Sequence, residues 1–502
     1  MMLSLDKSGA VPDWQARASE QRAALTADSN RPTYHFLPPA HWMNDPNGFI
    51  QWGEKYHLFY QHNPNGPFWG TIHWGHAVSK DLVHWRDLPI ALLPTSGAPD
   101  DTGCFSGCAV DDHGVPTLLY TGVFGSRQTQ CLATSHDGLI TWRPDPSNPV
   151  LAGAPPGMRP EDFRDPFVWR EGDVWYMVLG TGVQSGGGAA LLYRSQDLRR
   201  WEYLHPLLEG KLEETGEVWE CPNFFPLGDK YVLIVSVWPR AYVYYFVGSY
   251  QNHRFVPEFE GKLDHNGSFY APLSTLDQHG RRLLVGWLDE WRSAEAQREA
   301  GWAGTLSLPQ ELLLYPSGQL GVRPIPELEI LRSQHVAHQK IRVSKGELKL
   351  VEGVRGEALE LNVQFGSQGA QRYGVVVRRS PDGVEETHIL YDAVGGQLVI
   401  DRSRHSLDEE VNREPHVTAL KLAADEPLEL RIFIDHSVLE VFANSRAFVA
   451  SRIYPTRPDS LQVALIADGE LEVPRLDAWT LQPTWPFPDL GPGPIKENDE
   501  PL

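Results

Sequence analysis

GDVWYMVLG, residues 172–180, is a glycine-led turn followed by an apolar and aromatic run, the pattern of a strand leaving a hairpin. Four other stretches repeat it: GEKYHLFYQ from Gly53, GVPTLLYTG from Gly114, GDKYVLIVS from Gly228 and GRRLLVGW from Gly280. Aligning Tyr56, Thr117, Trp175, Tyr231 and Arg282 spaces the copies by 61, 58, 56 and 51 residues. A second element follows three of them: SKDLVHW at Ser79, SHDGLITW at Ser135 and SQDLRRW at Ser195. Repeats of this length, rich in strands and turns and without a helical period, mark propeller blades. Five copies predict an all-β chain built on a five-bladed β-propeller.

Outward from the repeats the organisation is simpler. Of the 17 Trp, 15 precede residue 330, and so do all four Cys, which places a domain boundary near that point. Helix-forming residues at 11–28 predict an N-terminal helix within an extension spanning 1–30, ahead of a propeller at 31–325. RPIPELEIL opens a linker at 326–340. Short alternating strands such as ALELNVQF, LELRIFID and LQVALIA predict a β-sandwich over 341–485. The Pro-, Gly- and charge-rich residues 486–502 read as a frayed tail.

Composition excludes several functions. The 502 residues carry 44 Lys plus Arg against 65 Asp plus Glu, a net charge of −21 that repels phosphate backbones and anionic lipids. Nucleic acid and membrane surfaces are therefore not expected partners, whereas a neutral sugar is not disfavoured. No apolar run reaches the ~18 residues of a membrane span. The first 25 residues hold no apolar h-region, and the four Cys (Cys104, Cys108, Cys131, Cys221) form no disulfide framework or CxxC pair. A cytoplasmic protein with reduced thiols is expected.

Ten to twelve residues before each aligned position stand Asp45 (HWMNDPNG), Ser106 (CFSGC), Asp165 (FRDPF), Glu220 (VWECPNF) and Tyr270 (SFYAP). If this phase is the innermost strand, three carboxylates converge at one end of the channel. Alone, Asp-Pro or Asn-Gly would read as a turn. Three carboxylates in phase read as chemistry: crowding them in an aromatic pocket raises at least one pKa. Such a site can hold a protonated acid beside an ionised nucleophile, as glycoside hydrolysis requires.

At these residues the chain resembles glycoside hydrolase family 32, the β-fructofuranosidases, a group that includes invertases, sucrose-6-phosphate hydrolases, levanases and inulinases. WMNDPNG at Trp42, FSG at Phe105, RDP at Arg164, EC at Glu220 and FYA at Phe269 occur in order. HWGHAVSKDLVHW from His73, GWAGTLSLPQEL from Gly301 and DHSVLEVFAN support them, and the likeness runs from about 31 to 483. One departure is Cys108 after FSG, where the family often has FSGSA.

The resemblance implies a five-bladed propeller followed by a β-sandwich, and retaining cleavage of terminal β-D-fructofuranosides such as sucrose and short fructo-oligosaccharides. It implies Asp45 as nucleophile, Glu220 as acid/base and Asp165 as transition-state stabiliser, with no cofactor and no metal. A retaining pair is expected to stand about 5–5.5 Å apart. Asn44, Gln61, Phe105, Ser106, Arg164 and Tyr270 carry over as substrate contacts, and Trp42, Trp69 and one of Trp287 or Trp291 as the apolar wall. Arg164 is expected to keep its neighbour Asp165 ionised. Cys221 reads either as a residue tuning Glu220 or as small packing.

The remaining signals are weaker. His62, His73, His76 and His84 cluster in sequence, but two His three apart in a strand face opposite ways, so they read as core or hydrogen-bonding residues. SGGG at Ser185 lacks the GK[ST] of a phosphate loop and reads as a hairpin tip. The sandwich reads as a buttress rather than a second sugar module, and monomer and homo-oligomer both stay open. Rival functions are a fructosyltransferase or fructan exo-hydrolase using the same residues, a sucrose-6-phosphate hydrolase, an inverting arabinose- or xylose-polymer glycosidase, and a catalytically dead sugar-binding protein.

Overall fold

In the computed structural model, which describes residues 11–264, 268–366 and 369–485, the five repeats become five antiparallel sheets. Each is led by one strand: β1 (His41–Trp52), β2 (Gly103–Asp112), β3 (Arg164–Glu171), β4 (Val218–Leu227) and β5 (Phe269–Leu276). These leading strands contact one another in a closed ring, and the sheets radiate from them as propeller blades. The glycine-led runs form the second strand of each blade, hairpinned to the first. Trp302–Ala303, late in the fifth blade's segment, pairs parallel with His41–Trp42 and closes the circle.

The second repeated element is a turn between the third and fourth strands. Ser79, Ser135 and Ser195 donate to Asp81, Asp137 and Asp197, whose carboxylates accept backbone N–H groups two to four residues on. In each copy a leucine (Leu82, Leu139, Leu198) sits at positive φ, 59–65°, held there by those bonds. The short Ser-x-Asp motif is thus a self-capping turn, which explains its recurrence without a role in chemistry.

Two six-stranded sheets form the C-terminal sandwich over an all-aliphatic and aromatic core. One of its sheets packs on the propeller, so that Phe433, Val438, Phe442 and Phe448 share a core with Phe269, Leu306 and Leu312. The stretch expected as a linker at 326–340 is mostly strand. Only Pro326–Leu331 connects, as a 3₁₀ turn, and Arg332–Val343 pairs along its length with Leu471–Leu481. Its alternating polar and apolar residues were masked by the Pro-rich start. The N-terminal helix α1 (Val11–Ala24) ends four residues short of the expected 28. Its Arg22 reaches into the first blade, donating to both oxygens of Asp87 at 3.0 Å and to the Leu37 carbonyl. The expected tail at 486–502 lies outside the described residues.

Candidate active site

Each leading strand breaks register with its neighbour near its start, and the break creates the site. In blades two to five the ladder skips Ser106, Asp165-Pro166, Cys221-Pro222 and Ala271-Pro272; in the first it skips Asn44-Asp45, just ahead of Pro46. Pro and Gly suit such bulges, since Pro has no N–H to pair and Gly has no Cβ. A Cβ on Gly107 would stand 2.0 Å from the Leu119 carbonyl, so the FSG glycine is sterically required. Asp165, Cys221 and Ala271 adopt positive φ (65°, 47° and 47°), backbone strain that turns their side chains or amides inward.

This register corrects the alignment drawn from spacing. Glu220 and Tyr270 stand one residue ahead of the bulge, in phase with Arg164 and Phe105. The residues in phase with Asp165 are Cys221 and Ala271. The site is therefore two stacked rings. One contains Asp45, Ser106, Asp165 and Cys221, and the other contains Phe105, Arg164, Glu220 and Tyr270.

Asp45 is held on every side. Ser106 Oγ donates to its Oδ2 at 2.5 Å, Gln61 Nε2 at 3.3 Å and Cys221 Sγ at 3.4 Å, while Asn44 Nδ2 donates to Oδ1 at 3.1 Å. Asn44 is itself fixed by Trp42 Nε1 at 2.8 Å and by Gln61 Oε1 at 2.9 Å, and Gln61 also donates to Ser106. Burial raises Asp45 from 3.8 to about 6, against the Ser106, Asn44 and Cys221 hydrogen bonds and with the Glu220 charge.

Asp165 accepts the Cys221 amide at 2.8 Å and faces its thiol at 3.6 Å. The Cys221 sulfur thus lies between the two aspartates. Burial and three neighbouring carboxylates push its pKa well above the thiol range, so it is a neutral donor. This favours the tuning reading of Cys221 over simple packing, although the carboxylates it touches are Asp45 and Asp165 rather than Glu220.

The expectation for Arg164 is overturned. Its Nε and Nη2 both donate to Glu220 Oε1, at 3.1 and 2.9 Å, and its Nη1 goes to Asp162 and Gln128. Adjacent residues of a strand point to opposite faces, so Arg164 reaches the neighbouring blade instead of its own Asp165. Burial raises Asp165 from 3.8 to about 7; the Arg164 charge opposes this, and those of Glu220 and Asp45 add to it. Glu220 completes its set with Tyr270, whose hydroxyl donates to Oε2 at 2.5 Å. Its side chain keeps 18% exposure, more than the deeper Asp165.

The aromatic wall is also resolved. Trp42 and Trp287 approach with ring centroids 5.9 Å apart, and Trp287 is the cross-strand partner of Tyr270. Trp69 stands edge-on to Phe105 at 5.9 Å and is 58% exposed, forming a lip. Trp291 is not part of this wall. It packs on His416 and under Arg402 of the sandwich, because the chain turns away from the pocket after Asp289.

Sequence reasoning missed Gln128, Asp162 and Thr121, which position Arg164 and the Asp165 amide. Asp162 lies three residues from Asp165 and could have been noticed; Gln128 and Thr121 belong to another blade and carry no local signal. The histidines have ordinary partners: His62 and His73 bond the carbonyls of Trp42 and Thr71, His76 bonds His57, and His84 bonds Asp81.

Comparisons with known proteins bear on the family and the fold. The model described as glycosyl hydrolases family 32 N-terminal domain matches residues 35–324, and the family's C-terminal model matches 327–480. A sucrose-6-phosphate hydrolase of Escherichia coli is 37% identical over 468 residues, covering 88% of this chain and 93% of that protein. A raffinose invertase of Escherichia coli is also 37% identical, covering 90% and 94%. The crystal structure of fructan 1-exohydrolase IIa from Cichorium intybus superposes with a TM-score of 0.84 at 29% identity, covering 91% of this chain and 98% of that one. With both domains matched in order and relatives aligned almost end to end, the chain belongs to glycosyl hydrolases family 32 and is a glycosidase.

Proposed function

We propose that the protein is a retaining β-fructofuranosidase whose first substrate is sucrose. One observation carries the reading: Asp45 and Asp165 flank the Cys221 sulfur, and the adjacent Glu220 is gripped by the Arg164 cation. Three carboxylates against one arginine hold a proton near neutrality, and the titration belongs to the set.

Fructose enters with its anomeric carbon over Asp45. The Asp45 carboxylate attacks that carbon while Glu220 gives its proton to the departing glycosidic oxygen, leaving a fructosyl ester on Asp45 and free glucose. Glu220 then takes a proton from water, the water oxygen attacks the same carbon, and Asp45 leaves as carboxylate, releasing fructose with its configuration retained. Asp165 and the Asn44–Gln61–Ser106 chain hold fructose hydroxyls. Glu220 suits the acid role because its side chain is more exposed than the deeper Asp165, on the side where the leaving oxygen departs. Unphosphorylated sugar is favoured because arginines on this end of the third and fourth blades are already engaged: Arg159 pairs with Glu217, and Arg240 donates to the carbonyls of Leu212 and Glu213.

The test is free glucose and fructose released from sucrose and from sucrose 6-phosphate, with Asp45→Ala alongside. Equal glucose and fructose, lost in the variant, supports a hydrolase. Excess glucose assigns transfer to another sugar. Turnover confined to the phosphorylated sugar overturns the choice of substrate.

A further inference from the structure

Resting on that reading, we propose that Trp238 is a stacking platform for the second ring of a disaccharide leaving group. The site would then bind trisaccharide fructosides by a contact that sucrose is too short to make. Trp238 is a large apolar side chain left 50% exposed, at the end of the fourth blade's second strand. A single exposed apolar residue is ordinary on a protein surface; what sets Trp238 apart is its place beside the sugar-cleaving site.

Its place follows from the register. Val218 pairs with Trp238 and Glu220 pairs with Ser236, so all four side chains lie on one face of the blade. That face looks toward the fifth blade, since Ser236 Oγ accepts the Ala271 amide and Tyr270 reaches Glu220 from there. Trp238 therefore stands one strand further from the axis than Glu220 and two residues, about 7 Å, further toward the mouth. The leaving group must depart past Glu220, because Glu220 protonates its oxygen. The first ring lies beside the acid, and a second ring reaches the indole.

The platform is rigid. Arg240 Nη1 and Nη2 donate to the Glu213 and Leu212 carbonyls at 2.8 and 3.1 Å, and the Tyr242 hydroxyl donates to the Glu214 carbonyl at 2.8 Å. The Ala241 amide closes the hairpin onto Val237 at 2.8 Å. Preorganisation of this kind lowers the ordering cost of binding. A sugar ring offers an apolar C–H face to an indole, whereas charged partners find no free cation in this hairpin.

The experiment compares wild type, Trp238→Ala and Trp238→Phe on sucrose, raffinose and 1-kestose. Trp238→Ala should leave kcat/KM for sucrose within about twofold and raise KM for both trisaccharides about fivefold to tenfold at unchanged kcat, the signature of lost uniform binding. Trp238→Phe should restore most of the loss. Equal effects on sucrose and the trisaccharides, or no effect on either, overturn the platform while leaving the fructosidase reading intact. Absence of fructose release from any of the three sugars by the wild type overturns that reading and the platform with it.

Discussion

Two groups of buried carboxylates in this molecule have opposite fates. In the axial site, Asp45 and Asp165 are pushed up to about 6 and 7. At the seam between propeller and sandwich, Asp435 is more deeply buried yet drops to about 2. Burial there works upward but is outweighed by the His35 hydrogen bond and charge and by backbone donors. Glu290 likewise falls below its ordinary value, since Arg452 and Arg292 overcome the burial that would raise it. The difference is the supply of partners. Asp435 receives Thr33, Tyr34 and His35 amides at 2.8–2.9 Å and the His35 ring at 2.9 Å, with Glu440 on the ring's other side at 3.4 Å. Glu290 takes Arg452, Arg292 and Tyr454. The fold bonds the carboxylates that join its domains to cations and leaves Asp45 and Asp165 with neutral donors alone.

The strongest test of that contrast is to remove one carboxylate of each kind. Asp45→Asn should cut turnover by a factor on the order of 10⁴ or more. It should also raise the thermal midpoint at pH 7, because a charge met only by neutral donors and facing Glu220 is gone; the shift corresponds to about 1–2 kcal/mol. Asp435→Asn should do the reverse. It strands the His35 cation among buried groups, costs about 3–5 kcal/mol, and leaves kcat of the surviving folded protein near wild type. Thermal melts and sucrose assays on the two variants decide it, and equal signs in stability would dissolve the contrast.

Acidity sharpens it further. Asp45 has a folded pKa of about 6 above an ordinary 3.8, so the ionised nucleophile is lost as pH falls through about 6, and kcat/KM should fall with it. The same raised value means that folding is disfavoured, not helped, as pH rises from about 4 to 6. At the seam the signs differ. The Asp435 contribution is present above 3.8 and lost as pH falls through about 2. For His35, burial works downward but the Asp435 and Glu440 hydrogen bonds lift it from 6.5 to about 9, so its contribution is complete below 6.5 and lost as pH rises through 9. A pH series of urea midpoints on an Asp45→Asn, Asp165→Asn background removes both site aspartates, and the seam should hold best between about 4 and 6.5.

What could be read beforehand follows the same division. The blades were legible because a hairpin writes its turn and its apolar run in consecutive residues, as at 172–180. The carboxylates were legible because Asp45 and Asp165 sit directly beside the Pro at the bulge and Glu220 stands two residues before it. The relative phase of Glu220 was not, since a one-residue offset is invisible until the ladder shows Ser236 opposite it. The target of Arg164 was also hidden, because cross-blade geometry, not sequence adjacency, chooses Glu220 over Asp165. The seam was out of reach altogether: His35 and Asp435 are 400 residues apart, and nothing near either one names the other.

The finest test separates two tryptophans only four residues apart. Trp287 belongs to the pocket wall against Trp42, and Trp291 to the seam, where its amide donates to the Tyr454 hydroxyl at 2.9 Å and its ring lies 4.8 Å from the Arg402 guanidinium. If site and seam are distinct, Trp287→Ala should raise KM for sucrose several-fold with a small change in melting. Trp291→Ala should lower the melting midpoint, by about 1–2 kcal/mol for a lost half-buried indole, and leave KM within about twofold. Should Trp291→Ala raise KM as much as Trp287→Ala while the protein stays folded, the seam would be shaping the pocket, and the sandwich would be part of the site rather than its support.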